Sequence, residues 1–157
     1  MSKKAFQDSY SAEFSHCYGC GRDNPHGLQL KSYWLNDEDK THTIAHFTPK
    51  PYHTGGVPNN AYGGLIASLL DCHGTASAAA AAYETQGRKM GSTPVLRFVT
   101  ASLSIDFLRP TPIGEELTLC GKVTQLKDRK ATITLSLSAG NMLCATGTMT
   151  AVRLKSE

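Results

Sequence analysis

The sequence lacks the long apolar segments that attach a protein to a membrane. Its uninterrupted apolar runs fall well short of the roughly 20 residues that span a bilayer. The N-terminal stretch "MSKKAFQDSYSAEF" has no apolar centre of the kind found in signal peptides. We therefore expect a cytoplasmic protein with no membrane partner.

Charge is also scarce. Lysine and arginine total 16 against 13 acidic residues, a net charge of +3, and the one local basic cluster is Lys127, Arg129 and Lys130. This is too little positive charge for a protein whose main partner is a nucleic acid, although it would suit an anionic small molecule. The basic cluster is either a binding site for phosphate groups or an ordinary solvated turn.

Cysteine is too sparse and irregular for a disulfide framework. The five cysteines are Cys17, Cys20, Cys72, Cys120 and Cys144. Their odd number and mostly apolar surroundings favour reduced thiols. Cys17 and Cys20 have zinc-ligand spacing, but no second Cys-x-x-Cys or His-x₃₋₅-His follows, so a complete site would need His16 and His26 or a partner chain. We predict no metal and keep a zinc-dependent protein as an alternative.

The chain is long enough for one domain, and its patterns predict an α+β fold. Residues 1–27, polar and glycine-rich, are expected to form an N-terminal loop or lid before a single domain at 28–157. Strands at 28–35 and 41–49 should pair through the turn "NDEDK". Residues 61–83 contain no proline and predict the single long helix.

Four further strands follow the helix, within 96–110, 115–126, 130–140 and 142–154, as an antiparallel meander. The predicted order is therefore β-β-α-β-β-β-β. A large antiparallel sheet curled around it would bury so apolar a helix. In the first of these strands the alternation places one set of residues on one face: Val99, Ala101, Leu103, Ile105 and Phe107. The other face then has Thr100, Ser102, Ser104 and Asp106.

Asp71 stands out because it interrupts the apolar part of the helix, and no lysine or arginine lies nearby in the sequence. A carboxylate there costs free energy unless a partner satisfies it. Its helical face otherwise has small residues, Ala67, Ser68, Thr75 and Ala78, which leave room for a ligand. Asp71 is thus either a buried carboxylate bonded to a nearby polar group or a functional residue.

Gly63 lies at the expected start of the helix. Free backbone N–H groups and the positive end of the helix dipole suit an oxyanion there, while close packing on the sheet is the other explanation for Gly63 and Gly64. Asp71 follows eight residues later, about 12 Å along the helix, too far to act on a group held at its own helix end. Two antiparallel copies of the helix would bring Asp71 of one chain to Gly63 of the other.

Three stretches carry a resemblance to a known family: "CYGCGRDNPHGLQLK", "YGGLIASLLDCHG" and "TASLSIDFLRPTPIG". Together they resemble the hotdog-fold acyl-CoA thioesterases of the phenylacetic-acid-degradation type, over nearly all of the chain from residue 17 onward. In that family His-Gly-Gly begins the helix, and a catalytic Asp or Glu lies nine residues after the histidine. Here Tyr62 replaces the histidine before Gly63 and Gly64, and Asp71 has the matching spacing.

The resemblance implies hydrolysis of an acyl-CoA by a homo-oligomer, with a dimer as the minimum and a tetramer as the alternative. The Gly63 N–H would polarise the thioester carbonyl, and Asp71 would act as general base or nucleophile. Thr100, which matches a family hydroxyl at the start of the next strand, would orient water or Asp71. The expected substrate contacts are Gly64, Asn60, Tyr62 and Arg109. Coenzyme A is part of the substrate, so no separate cofactor is expected.

Several alternatives stay open at this stage. Replacement of the family histidine by Tyr62 is compatible with a non-catalytic acyl-CoA-binding protein. A hydratase would need an Asp/His pair, but His73 lies about 200° around the helix from Asp71, which favours a structural role for His73. His53 is a weaker site candidate. Asn60 or its neighbour Asn59 would either add a hydrogen bond near the carbonyl or cap the helix, and capping is the favoured explanation for the pair.

Overall fold

The structure, a computed structural model, describes residues 3–155 and contains one long α-helix and six β-strands within them. The elements are β1 (Ser32–Trp34), β2 (His42–Phe47), α1 (Gly63–Thr85), β3 (Phe98–Phe107), β4 (Leu117–Lys127), β5 (Lys130–Ala139) and β6 (Met142–Arg153). Short 3₁₀ turns lie at Phe6–Ser9, Ala12–Phe14 and Pro51–His53. The predicted order of strands and helix is confirmed.

The six strands form one antiparallel sheet in the order β1-β2-β4-β5-β6-β3. The helix α1 lies against the sheet, and its Leu69 and Leu70 are fully buried among Leu119, Leu137 and Met149. A sheet curled around one apolar helix is the hotdog fold expected from the sequence.

The bounds of most elements differ from the prediction by a few residues, and two of these differences have a visible cause in the backbone. The strand predicted at 28–35 shortens to β1 because the N–H groups of Leu28 and Leu30 donate to the carbonyls of Tyr18 and Gly19. The helix begins at Gly63 rather than residue 61 because Tyr62 is extended, with ψ of 134°, and the chain before it is held by a bridge between Asn60 and Pro112, where the Ala61 N–H donates to the Thr111 carbonyl.

Strand β3 contains a bulge that overturns the predicted alternation. Thr100 pairs with Ala151 and Ser102 with Thr150, so Ala101 is an extra residue in the strand. The side-chain alternation therefore reverses at this point. Phe98 packs in the core before the bulge, and Leu103 and Ile105 pack against it afterwards. Placing Val99 and Ala101 on the same face as Leu103 was wrong, and Thr100 lies on the helix side of the strand.

The N-terminal segment packs against the second half of α1. Phe6 contacts Ala76 and Ala80 and makes an edge-to-face contact with the Trp34 ring. Gln7, also buried, exchanges hydrogen bonds with Ser32: its amide donates to the Ser32 hydroxyl, and its carbonyl accepts the Ser32 N–H. The small side chains in the second half of α1 thus leave space for the N-terminal segment to pack against the helix. The division at residue 27 stays a prediction.

By length and composition alone α1 is long and apolar enough to cross a membrane. In the structure, 72% of its most apolar window is buried inside the fold. Burial of this extent is what the core helix of a sheet-wrapped fold requires, and it explains why the helix is apolar on nearly every face.

Candidate active site

One face of α1 remains partly open over its first half. The half-buried positions there are Gly63, Gly64, Ala67, Ser68, Asp71 and Thr75. Their spacing of three and four residues places them on one face. All side chains on this face except that of Asp71 are small and uncharged. The face ends where residues 76–80 become fully buried.

Asp71 and Thr100 meet between helix and sheet, as the sequence predicted for functional partners. The Thr100 hydroxyl donates a short hydrogen bond to Asp71 Oδ1. Among residues 3–155, no lysine or arginine forms an ion pair with Asp71. The carboxylate therefore retains acceptor capacity on the open face, where it can bind the proton of a water molecule.

The N-terminus of α1 presents free backbone donors. Tyr62 is the N-cap residue and makes no side-chain capping bond, and the first turn has no acidic residue. Among the described residues, no carbonyl outside the helix accepts the N–H of Gly63 or Gly64. These two N–H groups are available to a developing negative charge.

The predicted capping by asparagine was wrong. The Asn60 amide donates to the Pro58 carbonyl at 3.1 Å, and Asn59 adopts a φ of 68° in the turn before the helix. Both residues lie too far upstream, because Ala61 and Tyr62 are extended before the helix begins. Both residues lie in the loop that leads to Gly63.

The predicted substrate-binding residues divide between two hollows on either side of this helix end. A hollow of about 330 Å³ is lined by Asn60, Gly63, Phe107 and Arg109. The Arg109 guanidinium is exposed and donates to the Leu143 carbonyl at 3.3 Å. It lies where it can meet an anionic group entering beside Gly63.

The second hollow, of about 200 Å³, is lined by Tyr62, Gly64, Ser68 and His53. The Tyr62 ring covers Gly64 so closely that a Cβ added there would lie 2.2 Å from it. His53 Nδ1 accepts the Lys50 N–H, and partial burial with nearby Lys50 lowers the pKa of His53. The structure thus brings His53, a weak candidate from sequence, to the wall of a hollow.

Asp71 and Gly63 of the same chain do not meet. Both lie on the open face of one unbroken helix, eight residues apart, so about 12 Å of helix axis separates them. Asp71 lines neither hollow. A reaction that uses both groups therefore requires a second chain.

Strand β3 is suited to meet such a chain because it forms one edge of the sheet. Its outer backbone edge is unpaired within the described part of the chain, and unpaired strand edges are ready to pair with another strand. Apolar side chains along and just beyond it are exposed: Val99 by 41%, Phe107 by 56% and Leu108 by 50%.

His73 is structural, as expected. It is fully buried, with Nδ1 2.9 Å from the Ser32 hydroxyl and Nε2 3.0 Å from the Thr43 hydroxyl. Burial lowers the pKa of His73 to about 4, so the ring is neutral at physiological pH. Its partners lie under the helix, away from Asp71.

The basic turn is remote from the helix N-terminus. Lys130 pairs with Val152, which pairs with Val99 at the beginning of β3, whereas Gly63 lies beside Phe107 at its end. Arg129 donates to the Arg153 carbonyl at 3.0 Å. These positions favour an ordinary turn within this chain.

A cluster of three thiols is the feature that the sequence did not reveal. The Sγ atoms of Cys17, Cys20 and Cys72 lie within 4.8 Å of one another. Hydrogen bonds from the other two thiols lower the pKa of Cys17. His16 and His26, which a sequence-based zinc site would need, are exposed and outside the cluster. Cys72 lies more than 50 residues from Cys17 and Cys20 in the sequence, and no local pattern predicts that it contacts their loop.

Comparison with known proteins gives one family. A model of the thioesterase superfamily matches residues 58–151. A thioesterase superfamily protein from Shewanella loihica PV-4 is 48% identical with a TM-score of 0.68, covering 91% of this chain and 97% of that one. No curated protein matches significantly.

Two more distant structures show likeness of fold alone. The E. coli PaaI protein from the phenylacetic acid degradation operon is 17% identical over 82% of each chain, with a TM-score of 0.64. A phenylacetic acid degradation-related protein from Ralstonia eutropha JMP134 is 19% identical over 80% of this chain and 85% of that one, with a TM-score of 0.62.

Proposed function

The chain belongs to the thioesterase superfamily, and from that premise we propose that it hydrolyses acyl-CoA thioesters to the free acid and coenzyme A. The observation that carries the proposal is the Asp71–Thr100 pair, placed on the open face of the helix whose N-terminus presents unpaired N–H groups. Water adds to the carbonyl carbon, the C–S bond breaks, and the thiolate of coenzyme A takes up a proton.

The Gly63 N–H is the proposed donor to the thioester oxygen. At the helix terminus it is supported by the helix dipole, and a donor fixed in place before the reaction stabilises the charge that develops on that oxygen. A Cβ at Gly63 would be 3.6 Å from the Phe107 ring, an ordinary contact, so packing alone does not require glycine. Absence of a side chain instead lets the carbonyl approach.

Asp71 of the partner chain is the proposed general base or nucleophile. Its half-buried carboxylate carries one hydroxyl donor and no paired cation among the described residues, so it remains able to accept a proton or attack a carbonyl. Thr100 fixes the orientation of that carboxylate. The reaction assigned here uses these protein groups and no separate cofactor.

A dimer, alone or within a tetramer, is the proposed working unit. The exposed edge of β3 and the small residues on the open face of α1 lie side by side, so a second copy could extend the sheet and set its helix antiparallel to the first. The hollow with Arg109 and the hollow with Tyr62 and Gly64 are then the proposed substrate sites. A cytoplasmic location remains the prediction from sequence.

The test is thiol release from acyl-CoAs of graded length, with phenylacetyl-CoA and benzoyl-CoA included. We expect wild type to turn over part of this panel and Asp71→Ala to lose turnover, because Asp71 is the one acidic residue among the half-buried residues of the open face of α1. Asp106→Ala is the matched control, since Asp106 is an exposed carboxylate on β3. Wild-type rates in Asp71→Ala would overturn the mechanism.

A binding protein without activity is the second candidate, and Tyr62 is the observation that favours it. The tyrosine occupies the place of the family histidine and covers Gly64. Under this alternative, acyl-CoAs would bind to wild type by calorimetry with no thiol release across the panel. That result would support acyl-CoA binding, and not hydrolysis, as the function of the protein.

A further inference from the structure

We propose that Cys17, Cys20 and Cys72 form a binding site for a thiophilic divalent cation, with Zn²⁺ as the best-fitting ion. The site joins the N-terminal loop to the middle of α1. It is separate from the proposed hydrolysis and does not depend on it.

The spacing of the sulfur atoms fits a metal. Zinc binds thiolates at about 2.3 Å, which in a tetrahedral site places the ligand sulfurs about 3.8 Å apart. Cys17 Sγ and Cys72 Sγ are 3.6 Å apart, and all three sulfurs lie within 4.8 Å of one another. Side-chain shifts below 1 Å would bring them into position. A disulfide would use only two of these thiols.

The loop backbone supports the sulfurs. The Gly19 N–H donates to Cys17 Sγ at 3.3 Å, and the Gly21 N–H donates to the Cys17 carbonyl at 2.8 Å. A hydrogen bond of the first kind stabilises a thiolate ligand. A Cβ added to Gly19 would lie 2.3 Å from Cys72 Sγ, so only glycine lets the loop reach the third sulfur.

A buried tyrosine lies near the cluster, with the Arg97 guanidinium 5.1 Å from its ring. The Tyr10 hydroxyl makes no hydrogen bond to the described residues. Burial raises the pKa of Tyr10, and so do the nearby Cys20 and Cys72. A phenol near these thiols has the chemistry to donate a hydrogen bond to a metal-bound thiolate.

Three thiolates leave one coordination position for water or an external ligand. Cys17 is half-buried while Cys20 and Cys72 are buried, so the open position would face the side of Cys17. Binding releases the three thiol protons to solvent. Since Cys72 directly follows Asp71 in α1, the ion would fix the N-terminal loop close to the candidate active site.

The test uses the full chain, stripped of metal by a chelator under reducing conditions and titrated with Zn²⁺ alone and with Co²⁺ alone. We expect one Zn²⁺ per chain, thiolate-to-cobalt charge-transfer absorption, and a higher thermal midpoint with Zn²⁺. Cys17→Ser and Cys20→Ser should lose all three effects. Cys120→Ser is the matched control and should behave as wild type, because Cys120 lies on β4 outside the cluster.

Two results would overturn the proposal. One is the absence of stoichiometric Zn²⁺ binding by reduced wild type with all five thiols titratable. The other is Zn²⁺ affinity in Cys17→Ser equal to that of the Cys120→Ser control. Because Cys17 lies in a loop and is half-buried, its serine variant should fold, and circular dichroism of the variant verifies this.

Discussion

At the scale of single residues, the hydrogen bond between Thr100 and Asp71 bears on why an aspartate interrupts an apolar helix. An aspartate in an apolar helix has two explanations from sequence, and Thr100 supplies the hydroxyl that both require. The open face favours the functional explanation, since a purely structural aspartate would be expected to have its remaining acceptors satisfied within the protein. Asp71 is half-buried, next to small residues, and retains free acceptor capacity.

Thr100→Ala tests the positioning role of this hydroxyl. We expect kcat to fall about tenfold, or about 1.4 kcal/mol on the barrier, because the carboxylate loses the group that orients it. Thr100→Ser should restore most of the rate, since it keeps the hydroxyl. Ser104→Ala, at an exposed position on the same strand, is the control. Equal rates in the Thr100→Ala and Ser104→Ala variants would refute the role.

At the scale of elements, a buried polar network holds α1 to the sheet. The Thr43 hydroxyl lies 2.7 Å from the Ser77 hydroxyl and 3.0 Å from His73 Nε2. Gly121 of β4 pairs with Thr43 of β2, and a Cβ added to Gly121 would be 2.7 Å from the Thr43 hydroxyl. The glycine therefore sets how closely helix and sheet approach at this point.

Gly121→Ala should lower the free energy of unfolding by about 2 kcal/mol, because the methyl group displaces buried groups that then lose hydrogen bonds. Urea unfolding followed by circular dichroism measures the change. Gly56→Ala is the matched control, since Gly56 has no atom within 4 Å of an added Cβ, and it should change stability by less than about 0.5 kcal/mol. Equal stability of the two variants would contradict the packing argument.

At the scale of the whole molecule, the helix geometry predicts that each active site is shared. Gly63→Pro removes the proposed N–H donor at little structural cost, since proline is favoured at the first position of a helix and Tyr62 before it is extended. Asp71→Ala removes the carboxylate. Each variant alone should be inactive as a homodimer.

Mixing the two variants under conditions that exchange subunits should restore about a quarter of the wild-type rate, since half of the dimers are mixed and each keeps one intact site. Thiol release before and after exchange measures this. Activity that stays at zero, while native mass spectrometry shows mixed dimers, would place both groups in one chain or exclude one of them from catalysis.

The sequence by itself determined the order of elements, the hotdog fold, the thioesterase family and the start of α1 to within two residues. The order of elements and the start of α1 follow from local periodicity and the absence of proline, which are properties of neighbouring residues. The hotdog fold and the thioesterase family follow from the resemblance that three stretches of the sequence bear to that family. The asparagine cap was wrong because a long-range bridge between Asn60 and Pro112 keeps the chain extended before the helix.

Only the tertiary structure decided the features that join distant segments. The bulge at Ala101 arises from pairing with β6 and reverses the faces of β3, which brings Thr100 to Asp71. Cys72 joins Cys17 and Cys20 because the loop folds back onto the helix. Such contacts depend on how elements pack, and the local pattern of a strand or helix contains no information on which distant residue will lie against it.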